Sequence, residues 1–124
     1  MTPAEARDLV AQALESGEYE QGKGFLCVDG KYCCLGVATE VYMKHYSQFI
    51  SKTTSIIKAG KVTCYECWNE QSTDYLLSPV REWLGFETSR GNFNESSLAR
   101  LNDAGTPFKE IAKLFRNPPE GLLE

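Results

Sequence analysis

The chain has 124 residues, of which 42% are hydrophobic and 24% charged, which is the composition of an ordinary globular domain. Its formal net charge of −4 disfavours a whole-surface attraction to nucleic acid or to an acidic membrane. No stretch of the sequence approaches the ~20 continuous apolar residues that a membrane-spanning helix needs.

The N-terminal segment has the pattern of a capped amphipathic helix. Thr2 is placed to be the N-cap, Pro3 suits the first helical position, and Glu5 completes a capping box with Thr2. Apolar residues then recur with helical spacing between residues 9 and 14. Gly17 is a natural C-terminal cap, so we predict that the first helix ends there.

The next segment predicts a β-hairpin that leads into a helix. Asp29-Gly30 lies between two β-prone runs, and this pair favours a type I′ turn because both turn positions need a positive φ. A second helix is expected over residues 35–46. Gly36 lies inside that helix at a cost of about 1 kcal/mol relative to alanine, which predicts that another element packs closely against its backbone.

A second hairpin is predicted around residues 58–61, which lie between an Ile56-Ile57 pair and the β-prone run 62–65. Residues 68–77 have no clean period and predict no regular element.

The last third of the chain is predicted to be helical. Ser78 as N-cap and Gly85 as C-terminal residue bound one short helix, and a second short helix ends near Gly105. A final helix opens at Pro107, buries an i, i+3, i+4, i+7 apolar face, and is stopped by residues 117–119. The acidic tail beyond it is expected to fray.

Together these elements predict a single α+β domain over residues 1–124, with 117–124 as a short tail. Its fold class is a small antiparallel sheet, made of one or two hairpins, packed against four or five helices.

The five cysteines are interpreted as reduced thiols, because the N-terminal segment lacks the features of a secretory signal. We therefore expect a cytoplasmic protein without a cofactor. Cys64 and Cys67 form a CxxC, so a zinc site that also uses Cys33 and Cys34 is an alternative. A nucleophilic Cys34 at a helix N-terminus is another, although His45 is expected about 16 Å further along the same helix.

Charge is unevenly distributed along the chain. Residues 41–65 contain four lysines and no acid, whereas residues 66–124 contain ten acids and six bases. Aromatic residues are interleaved with these lysines, a composition typical of surfaces that hold a nucleotide, a single strand or an acidic protein face. The candidate binding residues of this strip are Lys44, Lys52, Lys58, Lys61 and Tyr65. An ordinary solvated lysine surface is the alternative interpretation.

Four motifs follow one another along the chain: YxQGxGxL at 19–26, YCCLGV at 32–37, LSPxxxWLG at 77–85 and LNDxGxxFxxIA at 101–112. In this order they resemble a family of small uncharacterised proteins of phages, prophages and some bacteria. The resemblance implies a cytoplasmic, phage-associated accessory protein and supplies no activity. It points to Tyr19, Gln21, Asn102 and Asp103 as polar candidates for a shared site, with a role in tying loops to the core as the alternative.

The sequence has no evident catalytic constellation and therefore favours a non-enzymatic binding protein. Its expected partner is a host protein, such as a defence protein that it inhibits, or a small anionic ligand such as a nucleotide that it sequesters. Residues 97–113 resemble the first two helices of a helix-turn-helix, but prolines follow where the recognition helix should begin. A zinc-stabilised nucleic-acid-binding domain and a small cysteine-dependent enzyme are the alternatives.

Overall fold

The structure, a computed structural model, describes residues 1–46 and 49–124. In these ranges the helices are α1 (Pro3–Ser16), α2 (Cys34–His45), α3 (Ser78–Leu84), α4 (Leu98–Asp103) and α5 (Phe108–Arg116). The strands are β1 (Cys27–Val28), β2 (Lys31–Tyr32), β3 (Ser51–Ile57), β4 (Gly60–Cys67), β5 (Glu70–Ser72), β6 (Asn92–Phe93) and β7 (Ser96–Ser97). The predicted α+β class is confirmed.

The main sheet is antiparallel and has the strand order β2-β1-β4-β3, with β5 paired to the end of β4. Both predicted hairpins are confirmed. The first turns at Asp29 and Gly30, whose φ angles are 52° and 76°. The second joins β3 to β4 and pairs Ile57 with Gly60, so that only two residues form its loop. β6 and β7 form a separate small hairpin.

The turn of the first hairpin holds the second hairpin in place. Asp29 donates its backbone N–H to the carbonyl of Lys61 at 2.9 Å, and the Asp29 carboxylate accepts the Lys61 N–H at 2.8 Å. A side chain on Gly60 would overlap the same carboxylate. The glycine therefore allows the turn and β4 to approach closely.

Gly36 has the role that its position in a helix predicted. The backbone carbonyl of Leu26 occupies the space that a Cβ on Gly36 would fill. The chain that leads into β1 therefore lies directly on the first turn of α2. Cys33 is the N-cap of this helix, and its Sγ accepts the Gly36 N–H at 3.4 Å.

The helices form the other layer. α1 contacts α5, α2 and α3, and its predicted capping box is present. The predicted apolar face of α5 is buried, and it consists of Phe108, Ile111, Ala112 and Phe115. No helix within the described ranges is long and apolar enough to cross a membrane.

Ser78 is not the N-cap of α3, contrary to the prediction. It is the first helical residue, and Leu77 occupies the cap position without a side-chain hydrogen bond. The Glu70 carboxylate of β5 accepts the Ser78 N–H at 3.2 Å. A side chain from another element thus satisfies a donor that a local cap would otherwise serve.

The expectation that the tail frays is wrong. Leu122 is completely buried in the core. Its carbonyl accepts the Glu87 N–H at 2.9 Å, and Glu124 donates its N–H to the carbonyl of Gly85 at 3.0 Å. The tail therefore docks on the segment that follows α3.

Candidate functional site

Two lysines of the predicted strip, Lys44 and Lys52, already face carboxylates. The Lys44 ammonium on α2 lies 3.7 Å from the Glu18 carboxylate and 5.6 Å from the centre of the Tyr19 ring. The Lys52 ammonium on β3 lies 3.1 Å from the Glu40 carboxylate. Both positive charges are thus compensated within the chain.

Glu40 is the centre of a hydrogen-bonded cluster between α2 and the sheet. Its Oε2 accepts the hydroxyl of Tyr65 at 2.6 Å as well as the ammonium of Lys52. The Glu40 side chain is only 15% exposed, and Tyr65 is completely buried. Tyr65, which the sequence predicts beside a surface strip, therefore lies in the core and offers no surface to a partner.

The phenols around Glu40 hold their protons firmly. Burial, with a smaller contribution from the Glu40 hydrogen bond, raises the pKa of Tyr65 far above its usual value. Burial also raises the pKa of Tyr32 to about 12, and this ring packs edge-on against Tyr19 at 5.2 Å between ring centres. At neutral pH both phenols keep their protons and supply no phenolate base, and Tyr65 donates its proton to the Glu40 hydrogen bond.

The other two lysines lie at the free end of the β3–β4 hairpin. We call this end the hairpin tip, which consists of Ile56, Ile57, Lys58 and Lys61. Ile56 is 88% exposed and Ile57 48% exposed, and both lysines are exposed. In the described part of the chain neither of these lysines forms an ion pair with a carboxylate. The tip is therefore both apolar and positively charged.

Gln21, Asn102 and Asp103 are brought together, and their side chains bond to the chain itself. Asn102 is completely buried. Its Oδ1 accepts Gln21 Nε2 at 3.0 Å and the Cys34 N–H at 3.1 Å, while its Nδ2 donates to the carbonyl of Gly22 at 2.8 Å. Asp103 Oδ1 accepts a backbone N–H of the same glycine-containing loop at 2.9 Å. The network ties this loop to α4 and α2.

The cysteines do not converge. Cys33 and Cys34 lie at the start of α2, whereas Cys64 and Cys67 lie on β4. Because Cys64 and Cys67 are three residues apart on a strand, their side chains leave opposite faces of the sheet. Within residues 1–46 and 49–124, no three His, Cys, Asp or Glu side chains are placed to hold a metal ion.

The two thiols at the start of α2 are poorly suited to nucleophilic chemistry. Burial raises the pKa of Cys33 to about 11 and raises the pKa of the completely buried Cys34 well above its ordinary value. The Cys34 thiol faces the carbonyl of Leu98 at 3.6 Å. Its position at a helix N-terminus, which suggested activation, is outweighed by desolvation.

Two features escaped the sequence interpretation. Glu40 is the only acid in α2, and an isolated carboxylate among apolar helix residues is a usable sign of a buried partner. Trp68, 81% exposed, lies in the β4–β5 turn with φ 49° and 6.3 Å from Phe49 between ring centres. No periodic signal marks this turn, because only the pairing of β5 with β4 creates it.

The family model described as Domain of unknown function (DUF8296) matches residues 3–118. The chain belongs to this family. No match was found among curated proteins or among solved structures.

The DUF8296 match includes the hairpin tip, the Glu40 cluster and the Asn102 network. All five helices of the described ranges also lie inside it. The docked tail residue Leu122 lies beyond it. The candidate surfaces therefore belong to the family's domain, whereas part of the tail that completes the core does not.

Proposed function

We propose that this protein is a binding protein that docks its hairpin tip on an acidic face of a partner protein. The observation that carries this proposal is the combination at the tip of two exposed isoleucines with two exposed lysines that pair with no carboxylate in residues 1–46 and 49–124. Exposed apolar side chains rimmed by charge are typical of interaction surfaces. An acidic partner would supply the missing counter-charges and cover Ile56 and Ile57.

A protein partner is better supported than a small anion. A site for a nucleotide or similar anion needs several cations that converge on one cavity. Lys44 and Lys52 are each compensated by a carboxylate. Lys52 also lies four residues from Ile56, which pairs with Lys61, a separation of roughly 13 Å at 3.3 Å per residue.

The class of partner that we propose is a host protein, which this protein would inhibit as a phage-type accessory protein. The four sequence motifs that resemble phage and prophage proteins support this part of the proposal. Docking through an exposed tip requires no catalysis, in keeping with the protonated thiols and phenols described above.

Affinity capture from a bacterial lysate tests the proposed docking. The immobilised protein is expected to retain a specific host protein at low salt and to lose it as salt screens the lysines. The double variant Lys58→Glu/Lys61→Glu is expected to retain at least tenfold less of this host protein. Lys23→Glu/Lys109→Glu, which changes the net charge equally at exposed positions elsewhere, should retain as much as the wild type.

Two outcomes would contradict the proposal. One is equal loss of the captured protein in both double variants, which would show that capture depends on net charge and not on the hairpin tip. The other is a thermal shift produced by a panel of nucleotides and abolished by Lys58→Glu/Lys61→Glu, which would favour the small anionic ligand instead.

A further inference from the structure

Among the residues that the structure describes, β3 is an open sheet edge. It is the last strand on its side of the main sheet, and all seven of its residues are exposed. Its register with β4 runs residue for residue from Ser51 to Ile57 without a bulge, and it contains no proline. Bulges, prolines and short length are the devices by which proteins usually protect an edge strand, and β3 has none of them.

The hydrogen bonds of β4 define which groups of β3 point outward. Lys61 directs both its N–H and its carbonyl toward Asp29, away from β3. In an antiparallel pair, residues whose groups face the partner strand alternate with residues whose groups face away. Ile56, which pairs with Lys61, therefore directs its own N–H and carbonyl outward. Thr54 and Lys52 do the same at alternate positions.

This edge is available to another chain. In the described ranges, the outward N–H groups of Lys52, Thr54 and Ile56 have no hydrogen-bond acceptor in another part of the backbone. Lysine often guards an edge strand with its charge. Here the Lys52 ammonium turns toward Glu40 on α2 at 3.1 Å. Three N–H and three carbonyl groups thus form a template for an added strand of seven residues, of the kind used in peptide recognition.

We infer that the outer edge of β3 binds an extended acidic segment of the partner protein by strand addition. This inference rests on the proposed function and specifies how the partner binds. Charge determines the kind of segment: the β3–β4 hairpin carries three lysines and a single acid, Glu66, which already accepts the Thr53 hydroxyl at 3.4 Å. Main-chain bonds at Lys52, Thr54 and Ile56 hold the segment, and carboxylates on it meet Lys58 and Lys61.

A synthetic peptide provides the test. The probe is an acetylated, amidated heptapeptide that alternates glutamate and valine, titrated into the labelled protein and followed by amide hydrogen exchange. Binding is expected to slow exchange of the Lys52, Thr54 and Ile56 amides at least tenfold. A peptide N-methylated at every residue keeps the charges but lacks the donors, and it is expected to bind at least tenfold more weakly. A lysine-valine peptide should not bind.

Thr54→Pro and Thr54→Ala form a matched pair of variants. Proline removes the outward N–H of residue 54 and leaves the bonds between β3 and β4 intact, because proline is tolerated on the open side of an edge strand. Thr54→Pro is expected to lower the affinity for the glutamate-valine peptide at least tenfold, whereas Thr54→Ala should bind the peptide as tightly as the wild type does. The amide spectrum of each variant verifies that the hairpin is folded.

The outcomes separate this inference from the proposed function. If Lys58→Glu/Lys61→Glu weakens binding of the peptide but N-methylation of the peptide and Thr54→Pro do not, strand addition is overturned and charge-directed docking stands. If the glutamate-valine peptide does not bind, strand addition by an acidic segment is overturned, and the lysate capture decides the proposed function separately. If the protein alone sediments as a dimer that Thr54→Pro dissociates, the edge pairs with a second copy of the chain. The proposal of an acidic segment as its occupant is then wrong.

Discussion

Asn102 connects parts of the chain that are distant in sequence. It receives hydrogen bonds from Gln21 and from the backbone of Cys34, and it donates to the carbonyl of Gly22. Its second Nδ2 hydrogen points to Asp103 Oδ1 at 3.4 Å, so the whole polar capacity of the side chain is used inside the protein, at a completely buried position. These contacts support the interpretation that the asparagine ties the loop to the core, rather than that it awaits a ligand.

Asn102→Ala is expected to destabilise the fold by roughly 3 kcal/mol. The substitution leaves the Cys34 N–H and the Gly22 carbonyl buried without partners, and each such group costs about 1–3 kcal/mol. Urea denaturation measures the change. Asp103→Ala is the neighbouring comparison: it removes an exposed hydrogen bond from Gly24 and a longer one from Asn102 at 3.4 Å, but it leaves the Cys34 N–H and the Gly22 carbonyl paired. It should cost about 1 kcal/mol, clearly less than Asn102→Ala. Equal losses in the two variants would contradict the buried-network account.

Cys33 and Cys34 are expected to be almost inert to alkylation in the folded protein. With a pKa of about 11, Cys33 is a thiolate in roughly one molecule in ten thousand at pH 7, and both thiols are buried. Mass spectrometry after iodoacetamide treatment should find them labelled at least a hundredfold more slowly than in urea. The half-buried Cys64 should react before either of them. Faster labelling of Cys34 than of Cys64 would restore the cysteine-dependent enzyme as a candidate.

At the scale of elements, β3 has an alternation that can be measured in the free protein. The amides of Thr53, Ser55 and Ile57 face β4 and should be protected from hydrogen exchange, because residues at alternate positions direct their groups to opposite sides. The amides of Thr54 and Ile56 face solvent and should exchange at least tenfold faster. Uniform protection along the strand would show that the outer edge is already covered.

The sequence predicted those elements that have a local signal. Asp29-Gly30 encodes its own turn, and the capping box beginning at Thr2 starts α1 without help from the rest of the chain. β5 was missed because its three residues are held by pairing with β4 and have no period of their own. The start of α3 was misplaced because Glu70, a side chain from β5, serves the helix N-terminus.

The candidate site was less predictable than the fold, since it depends on which side chains the fold brings together. The lysines are close in sequence, but the structure distributes them between α2, the start of the edge strand β3 and the hairpin tip. Tyr65 was expected among them and is buried on Glu40 instead. Whether a lysine is compensated depends on acids from distant elements, such as Glu18 beside Lys44. Sequence spacing does not report such contacts.

At the scale of the whole molecule, the C-terminal tail completes the core. Leu122→Ala is expected to destabilise the protein by about 2–5 kcal/mol, because it opens a cavity at a completely buried position. Thermal or urea denaturation measures the effect. Glu120→Ala, at an exposed position two residues earlier, should change stability by less than about 0.5 kcal/mol. A Leu122→Ala variant as stable as the wild type would mean that the tail is detached in solution.

In the described part of the chain, one long edge of the main sheet, the outer side of β3, is not covered by another strand. α1, α5 and the tail enclose the helical side of the core, and the Asp29 turn closes one side of β4. β3 extends from this body with every residue exposed. The rigid part of the molecule thus presents the hairpin, and the proposed binding uses the outer side of β3, which pairs with no other strand among the described residues.

Hydrogen exchange of the complex with the captured host protein tests this account most directly. New protection is expected at the amides of Lys52, Thr54 and Ile56, together with little change on α1 and α5. New protection confined to the Phe49–Trp68 end of the sheet or to the helices, with these three amides exchanging as in the free protein, would contradict it.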